Sequence, residues 1–146
     1  MDDIFFMKEC IKQASLGFEK DEIPIGSLIE INGKIISKNH NMVEKLQDCT
    51  AHAEILCISS ACNFFNSKYL KNCTIYTTLE PCLMCIGAII SSKIRKIVFG
   101  SYDLRNEFIS NDKENIFKKN KILVVKGILQ NECDFLLKSF FEKKRS

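Results

Sequence analysis

The chain has 146 residues, 46% hydrophobic and 27% charged, with a net charge of +3. That length suits a single domain, residues 1–146, able to bury its own core, and the composition excludes a disordered chain. No run approaches the roughly 18 apolar residues of a membrane helix, and the acidic opening Met1-Asp2-Asp3-Ile4 is unlike a basic secretory signal, so a soluble, cytoplasmic protein with no membrane contact is expected.

Residues 3–20 read as a helix: Ile4, Met7, Ile11, Ala14 and Phe18 recur every three or four positions, with Asp2 or Asp3 as cap. Pro24 bars that helix from continuing through Ile23. Ile25 to Ile31 then reads as a strand, Asn32-Gly33 as a tight turn and Lys34 to Ser37 as the returning strand, because both turn residues tolerate positive φ. The polar stretch 38–49 shows no period. A helix is expected over 51–61 with Thr50 as cap, a strand over 74–78, and a second apolar helix over 83–91, with Pro81 at its first position. A short strand over 96–99 ends at Gly100. A loop with a short helix fills 101–120, followed by a strand over 122–125. A last helix spans 131–144, with Cys133, Leu136, Leu137, Phe140 and Phe141 as its apolar stripe. A hairpin followed by alternating strands and helices implies an α/β fold: a mixed five-stranded sheet with helices on both faces.

Six of the eight cysteines (Cys10, Cys49, Cys57, Cys62, Cys73 and Cys133) are scattered and read as small hydrophobes rather than a disulfide framework. The other two belong to one of two segments that carry chemistry: His52-Ala53-Glu54 opens one expected helix and Pro81-Cys82-Leu83-Met84-Cys85 opens the next. Cys82 and Cys85 share a helical face, and the dipole at a helix N-terminus favours thiolate. Two thiolates and an imidazole make a Cys₂His set for zinc with one position left for water, as in catalytic rather than closed structural sites. Glu54, two residues past His52, points away from the ligand's own direction. A carboxylate there can take a proton from activated water and hand it to a leaving group. Cys49 and His40 are rival ligands, Cys49, three residues before His52, making a closed structural site possible, and a lone Cys-X-X-Cys also suits redox chemistry or packing.

Residues 1–112 carry 12 basic and 14 acidic side chains, residues 113–146 carry 9 and 4. The basic end, comprising Lys118, Lys119, Lys121, Lys143, Lys144 and Arg145, is either a solvated tail or a phosphate-contact surface.

The two chemical segments resemble the zinc-dependent nucleoside and nucleobase deaminases. The stretches Glu22-Ile23-Pro24-Ile25-Gly26, Thr50 to Ile55, Thr77 to Cys85, Val98-Phe99-Gly100, and Gly127-Ile128-Leu129 leading to Phe140-Phe141 narrow this. With Asn41, they are similar to the bacterial tRNA-specific adenosine deaminases of the cytidine/deoxycytidylate deaminase superfamily, over residues 3–145. The resemblance implies a three-layer α/β/α cytidine-deaminase-like fold and a homodimer with one Zn²⁺ per subunit. It implies hydrolysis of the wobble adenosine (position 34) of a tRNA anticodon, chiefly an arginine tRNA, to inosine and ammonia. It assigns His52, Cys82 and Cys85 to the metal, Glu54 to proton transfer and Asn41 to base recognition. Glu22, Ile23, Pro24, Ala51 and Leu79 would surround the flipped base, Asp103 would lie near a neighbouring sugar, and Phe141 near the splayed anticodon loop. Residues 104–112 depart from the small, glycine-containing stretch usual in the family. Within the superfamily the alternative is a deaminase of a free base or nucleoside, guanine or cytosine; outside it, a zinc-stabilised RNA-binding module without catalysis.

Overall fold

The computed structural model describes residues 2–104 and 107–145, with side chains from 112 onward in the second segment. Its elements run α1 (Asp3–Glu19), β1 (Gly26–Ile31), β2 (Lys34–His40), α2 (Val43–Leu46), α3 (Ala53–Phe65), β3 (Thr74–Leu79), α4 (Leu83–Ser91), β4 (Lys96–Ser101), α5 (Glu107–Lys119), β5 (Leu123–Val125) and α6 (Gln130–Arg145). No helix is long and apolar enough to cross a membrane among the described residues. Arg105 and Asn106, within the stretch that departs from the family pattern, lie outside the described residues.

The five strands form one sheet in the order β2-β1-β3-β4-β5. β1 pairs antiparallel with β2 and β3, whereas β3–β4 and β4–β5 are parallel, as the hairpin and the two helical crossovers require. Alternation along the strands sorts the core into two layers. Leu28, Tyr76 and Val98 pack with Phe6, Met7 and Cys10 of α1 and Cys133 of α6. Ile29, Ile75, Ile97 and Phe99 pack on the opposite face with Cys57 of α3, Ile86 and Ile89 of α4 and Phe117 of α5. Each such side chain, taken from water, contributes about 1.5–3 kcal/mol. The expected mixed α/β/α sandwich is thus observed.

Two glycines seat helices on the sheet. A Cβ on Gly26 would lie 1.9 Å from the Cys10 carbonyl of α1, and one on Gly100 would lie 2.5 Å from Cys133 Sγ of α6. The hairpin turn is as expected: Asn32 and Gly33 have φ of 51° and 82°, and the Gly33 N–H donates to Glu30 Oε2 at 2.7 Å.

Several boundaries differ from the sequence reading. Stretch 38–49 is partly regular: β2 runs on to His40, opposite Gly26, and α2 forms because a remote carboxylate caps it. α3 starts at Ala53 with His52, not Thr50, as N-cap, and continues to Phe65 before Asn66 ends it at φ 50°. Thr50 instead hydrogen-bonds Asp48. Pro81 precedes the N-cap Cys82 rather than occupying the first helical position. α5 is 13 residues long rather than a short helix.

Candidate active site

The parallel strands β3 and β4 end at Leu79 and Ser101, and the antiparallel hairpin brings the start of β1 and the end of β2 to the same edge. Helices α3 and α4 both begin there. His52 and Cys82 are their N-cap residues, with extended backbones (φ −71°, ψ 151° and φ −74°, ψ 170°), and neither side chain caps its helix. Both are left to face one another, joined by Cys85 from the first turn of α4. Cys82 Sγ and Cys85 Sγ are 3.7 Å apart, and His52 Nδ1 lies 3.6 Å from each. A tetrahedral zinc with ordinary bond lengths would separate two sulfurs by about 3.8 Å and sulfur from nitrogen by about 3.6 Å. The donor atoms therefore already stand at three corners of such a site. No fourth His, Cys, Asp or Glu donor joins this cluster among the described residues, so Cys49 and His40 do not close it. His40 Nδ1 instead sits 2.8 Å from the Asn41 carbonyl.

The electrostatics suit a cation. A hydrogen bond from Cys85, reinforced by His52, draws the Cys82 thiol down to about 3 despite its burial. The same Cys82 contact, together with burial, pushes Cys85 up. His52 is raised by its hydrogen bond to Cys82. Glu54, the second residue of α3, is buried beside them, and burial is the main cause of its rise to about 7. The nearby Glu54 carboxylate adds to the rise at Cys85.

In front of this cluster opens a cleft of about 970 Å³. His52, Glu22, Ile23, Asn41, Leu79, Asp103 and Phe141 all line it. Pro24 and Ala51 are buried behind it and do not. Asn41 is 4% exposed. Its backbone N–H donates to the Ile25 carbonyl at 3.1 Å, while its side-chain amide has no hydrogen-bond partner among the described residues. Phe141 stays 39% exposed at the rim, edge-on to buried Phe140, which in turn packs edge-on against Phe18.

Two arrangements were not expected from sequence. Glu22 is 1% exposed, and its two oxygens accept the backbone N–H groups of Glu44 and Lys45 at 3.0 and 2.8 Å. It lines the cleft, yet its carboxylate is engaged in capping α2. Behind Asp103, a buried Lys113 Nζ lies 4.0 Å from Asp103 Oδ2 and 3.7 Å from Glu80 Oε2. The Asp103 N–H donates to Glu80 Oε1 at 2.9 Å. The signal for Lys113 was present: it shares a helix face with Ile116 and Phe117, three and four residues on. The basic residues of the carboxyl end also divide. Lys144 lines the cleft and pairs with Asp21 at 2.6 Å, whereas Lys118, Lys119 and Lys121 follow α5 to the far end of the sheet.

A family model described as MafB19-like deaminase matches residues 1–145. The chain is 41% identical over 147 residues to a tRNA-specific adenosine deaminase of Bacillus subtilis (strain 168), covering 98% of this chain and 91% of that protein. It is 48% identical over 102 residues to a tRNA-specific adenosine deaminase of Aquifex aeolicus (strain VF5), covering 70% of this chain and 68% of that one. A solved structure from work on A-to-I editing by tRNA:A34 deaminases at the wobble position of transfer RNA matches with a TM-score of 0.81 at 32% identity, covering 91% of this chain and 99% of that one. Sequence and fold thus agree over nearly the full length, and the chain belongs to the tRNA-specific adenosine deaminase family within the cytidine deaminase superfamily.

Proposed function

We propose that the chain is a zinc-dependent hydrolase, one catalytic domain over residues 1–146, that converts the wobble adenosine (position 34) of a tRNA anticodon to inosine with release of ammonia. The observation that carries this is a three-donor cluster with a buried carboxylate beside it at the end of a cleft. The names of the relatives supply the substrate class. His52, Cys82 and Cys85 hold the metal. When bound, zinc supplies Lewis-acid activation that lowers the pKa of water to about 7.

Glu54 does the proton work. Its buried carboxylate takes a proton from the attacking water and gives it to the purine ring nitrogen, then takes the second proton from the added hydroxyl and gives it to the departing amino group. Water's oxygen remains on the purine as the 6-keto group of inosine, and the nitrogen leaves as ammonia. The Asn41 amide, with no hydrogen-bond partner among the described residues, hydrogen-bonds the base. Ile23 and Leu79 flank the base, with Pro24 and Ala51 behind them, and Glu22 holds the adjoining wall. Asp103 meets a neighbouring sugar, and Phe141 offers its exposed ring to the splayed loop. A loop base is cheap to unstack, which suits an anticodon.

The chain acts as a cytoplasmic homodimer with one zinc per subunit on an arginine tRNA. Leu83 and Met84, 46% and 38% exposed beside the metal cluster, support an apolar contact there. The test is incubation of the purified protein with tRNA and, separately, with adenosine, guanine and cytosine. Inosine at the wobble position of tRNA alone is the expected result. Turnover of a free base alone overturns the proposal.

A further inference from the structure

We propose that the end of the sheet opposite the catalytic cleft is a second surface, which binds the phosphate backbone of helical RNA. The loops entering the three parallel strands meet there. Segment 66–73 before β3 carries Lys68 and Lys71. Segment 91–96 entering β4 carries Lys93, Arg95 and Lys96. Segment 118–122 before β5 carries Lys118, Lys119 and Lys121. The three segments contain no Asp or Glu. The rest of the chain holds 13 basic and 18 acidic residues, so the positive charge of the protein is concentrated at this end.

The segments form one surface. The Leu70 N–H donates to the Ser92 carbonyl at 2.6 Å and the Leu123 N–H to the Arg95 carbonyl at 2.8 Å. Arg95 Nη1 reaches the Asn120 carbonyl at 3.4 Å. Lys68 and Lys93 both approach the exposed ring of Tyr69, at 5.2 and 5.8 Å from its centroid. Among the described residues none of these eight cations is paired with a carboxylate. Six-residue strands at about 3.3 Å per residue put roughly 20 Å between this surface and the cleft, beyond the reach of a lysine side chain bound at either.

A structural explanation accounts for only part of the charge. Lys118 and Lys119, in the last turn of α5, complement its dipole, but that effect is screened by salt and fades beyond the last turn, and the other six cations lie outside the last turns of α3, α4 and α5. Moreover, Lys93 and Lys121 have φ of 67° and 56°, where glycine is the cheaper residue. Lysine at both positions keeps positive charge at a conformational cost. Phosphodiester backbone answers to a spread of unpaired cations through counterion release, without sequence reading. The choice of RNA over another polyanion rests on the proposed tRNA substrate. The surface would hold a helical stem while the cleft, at the other end, handles a single unstacked base.

The test uses the full chain and its variant Lys71→Gln/Lys118→Gln/Lys119→Gln, with a loopless 20-base-pair RNA duplex as probe and a minimal anticodon hairpin as substrate. Duplex binding is expected to weaken, with the slope of log K against log salt shallower by about one unit per lysine lost, two to three in all. Hairpin turnover should stay within about twofold of the parent, since an exposed lysine 20 Å away touches none of the reacting groups. An unchanged salt slope overturns the proposal. So does a parallel loss of hairpin turnover, which would assign these lysines to the cleft, or binding to phosphatidylserine vesicles in place of duplex. Duplex binding is read without turnover, so an inactive parent protein would refute the deaminase reading and leave this one decided on its own result.

Discussion

The imidazole Nδ1 of His52 lies 3.6 Å from the Sγ of Cys85, although 33 residues separate them in the chain. The contact exists because two helices begin at the same sheet edge, with His52 at the N-cap of α3, where its side chain does not cap, and Cys85 in the first turn of α4. The anionic sulfur is favoured at the neighbouring N-cap residue, Cys82, by the helix N-terminus of α4 and by the hydrogen bond from the Cys85 thiol.

The metal prediction follows from the count of donors. The protein as purified should contain one zinc per chain by elemental analysis. His52→Ala or Cys85→Ala leaves two donors and should lose most of that zinc and all detectable turnover. Metal binding is also linked to folding: added zinc should stabilise the chelated parent by about 4 kcal/mol at a thousandfold excess over Kd, read as a raised Tm, but neither variant. A variant with a full complement of zinc would show that the cluster is not the metal site.

Glu54 is buried beside the cluster but is not among its donors. Glu54→Gln should therefore keep one zinc per chain and an unaltered circular dichroism spectrum, while turnover on tRNA falls by about 10²–10⁴-fold, the span of general acid–base catalysis. Turnover near that of the parent would remove Glu54 from the reaction. Zinc loss with it would make Glu54 a ligand.

The sequence made the layers legible because their signals are local: alternation in Leu28-Ile29, Ile75-Tyr76 and Ile97-Val98-Phe99, the three-and-four spacing of α1, and the Asn32-Gly33 turn. It also exposed the His52, Cys82 and Cys85 set, since each motif lies within a few residues. What escaped depends on partners distant in the chain. α2 is four residues long, too short to hold itself, and forms only because Glu22 caps it from 22 positions away. Lys113 is on an apolar helix face for reasons that only Glu80 and Asp103 supply. Likewise, the basic carboxyl-terminal quarter looked like one patch in sequence, and the turn of the chain after α5 sends its two halves to opposite ends of the molecule.

Asn41 gives a prediction with an unusual sign. The Asn41 amide has no hydrogen-bond partner among the described residues, so its removal forfeits no internal hydrogen bond and should not lower stability. Asn41→Ala should leave the Tm within about 2 °C of the parent. If the amide bonds the base, kcat/KM for tRNA should drop by about 10–100-fold, the loss of a hydrogen bond of about 1–3 kcal/mol. A large fall in Tm with kcat/KM preserved would make Asn41 a structural residue instead.

Glu22 is the opposite case, because its carboxylate is engaged within the chain. Both oxygens take backbone N–H groups at the start of α2, and Val43, Glu44 and Lys45 of that helix line the cleft. Charge-assisted hydrogen bonds are worth about 1.5–3 kcal/mol. Glu22→Ala should therefore lower the Tm by roughly 4–10 °C for a chain of this size. The cleft wall loses its fixed position while the metal donors and Glu54, on α3 and α4, keep theirs. KM for tRNA should rise about tenfold, matching some 1.4 kcal/mol of binding, with kcat close to the parent value. Glu22→Gln, which retains one good acceptor oxygen, should recover part of both losses. The split between KM and kcat separates the two accounts of this residue: a carboxylate acting on the flipped base itself would lower kcat and leave the melting temperature unmoved.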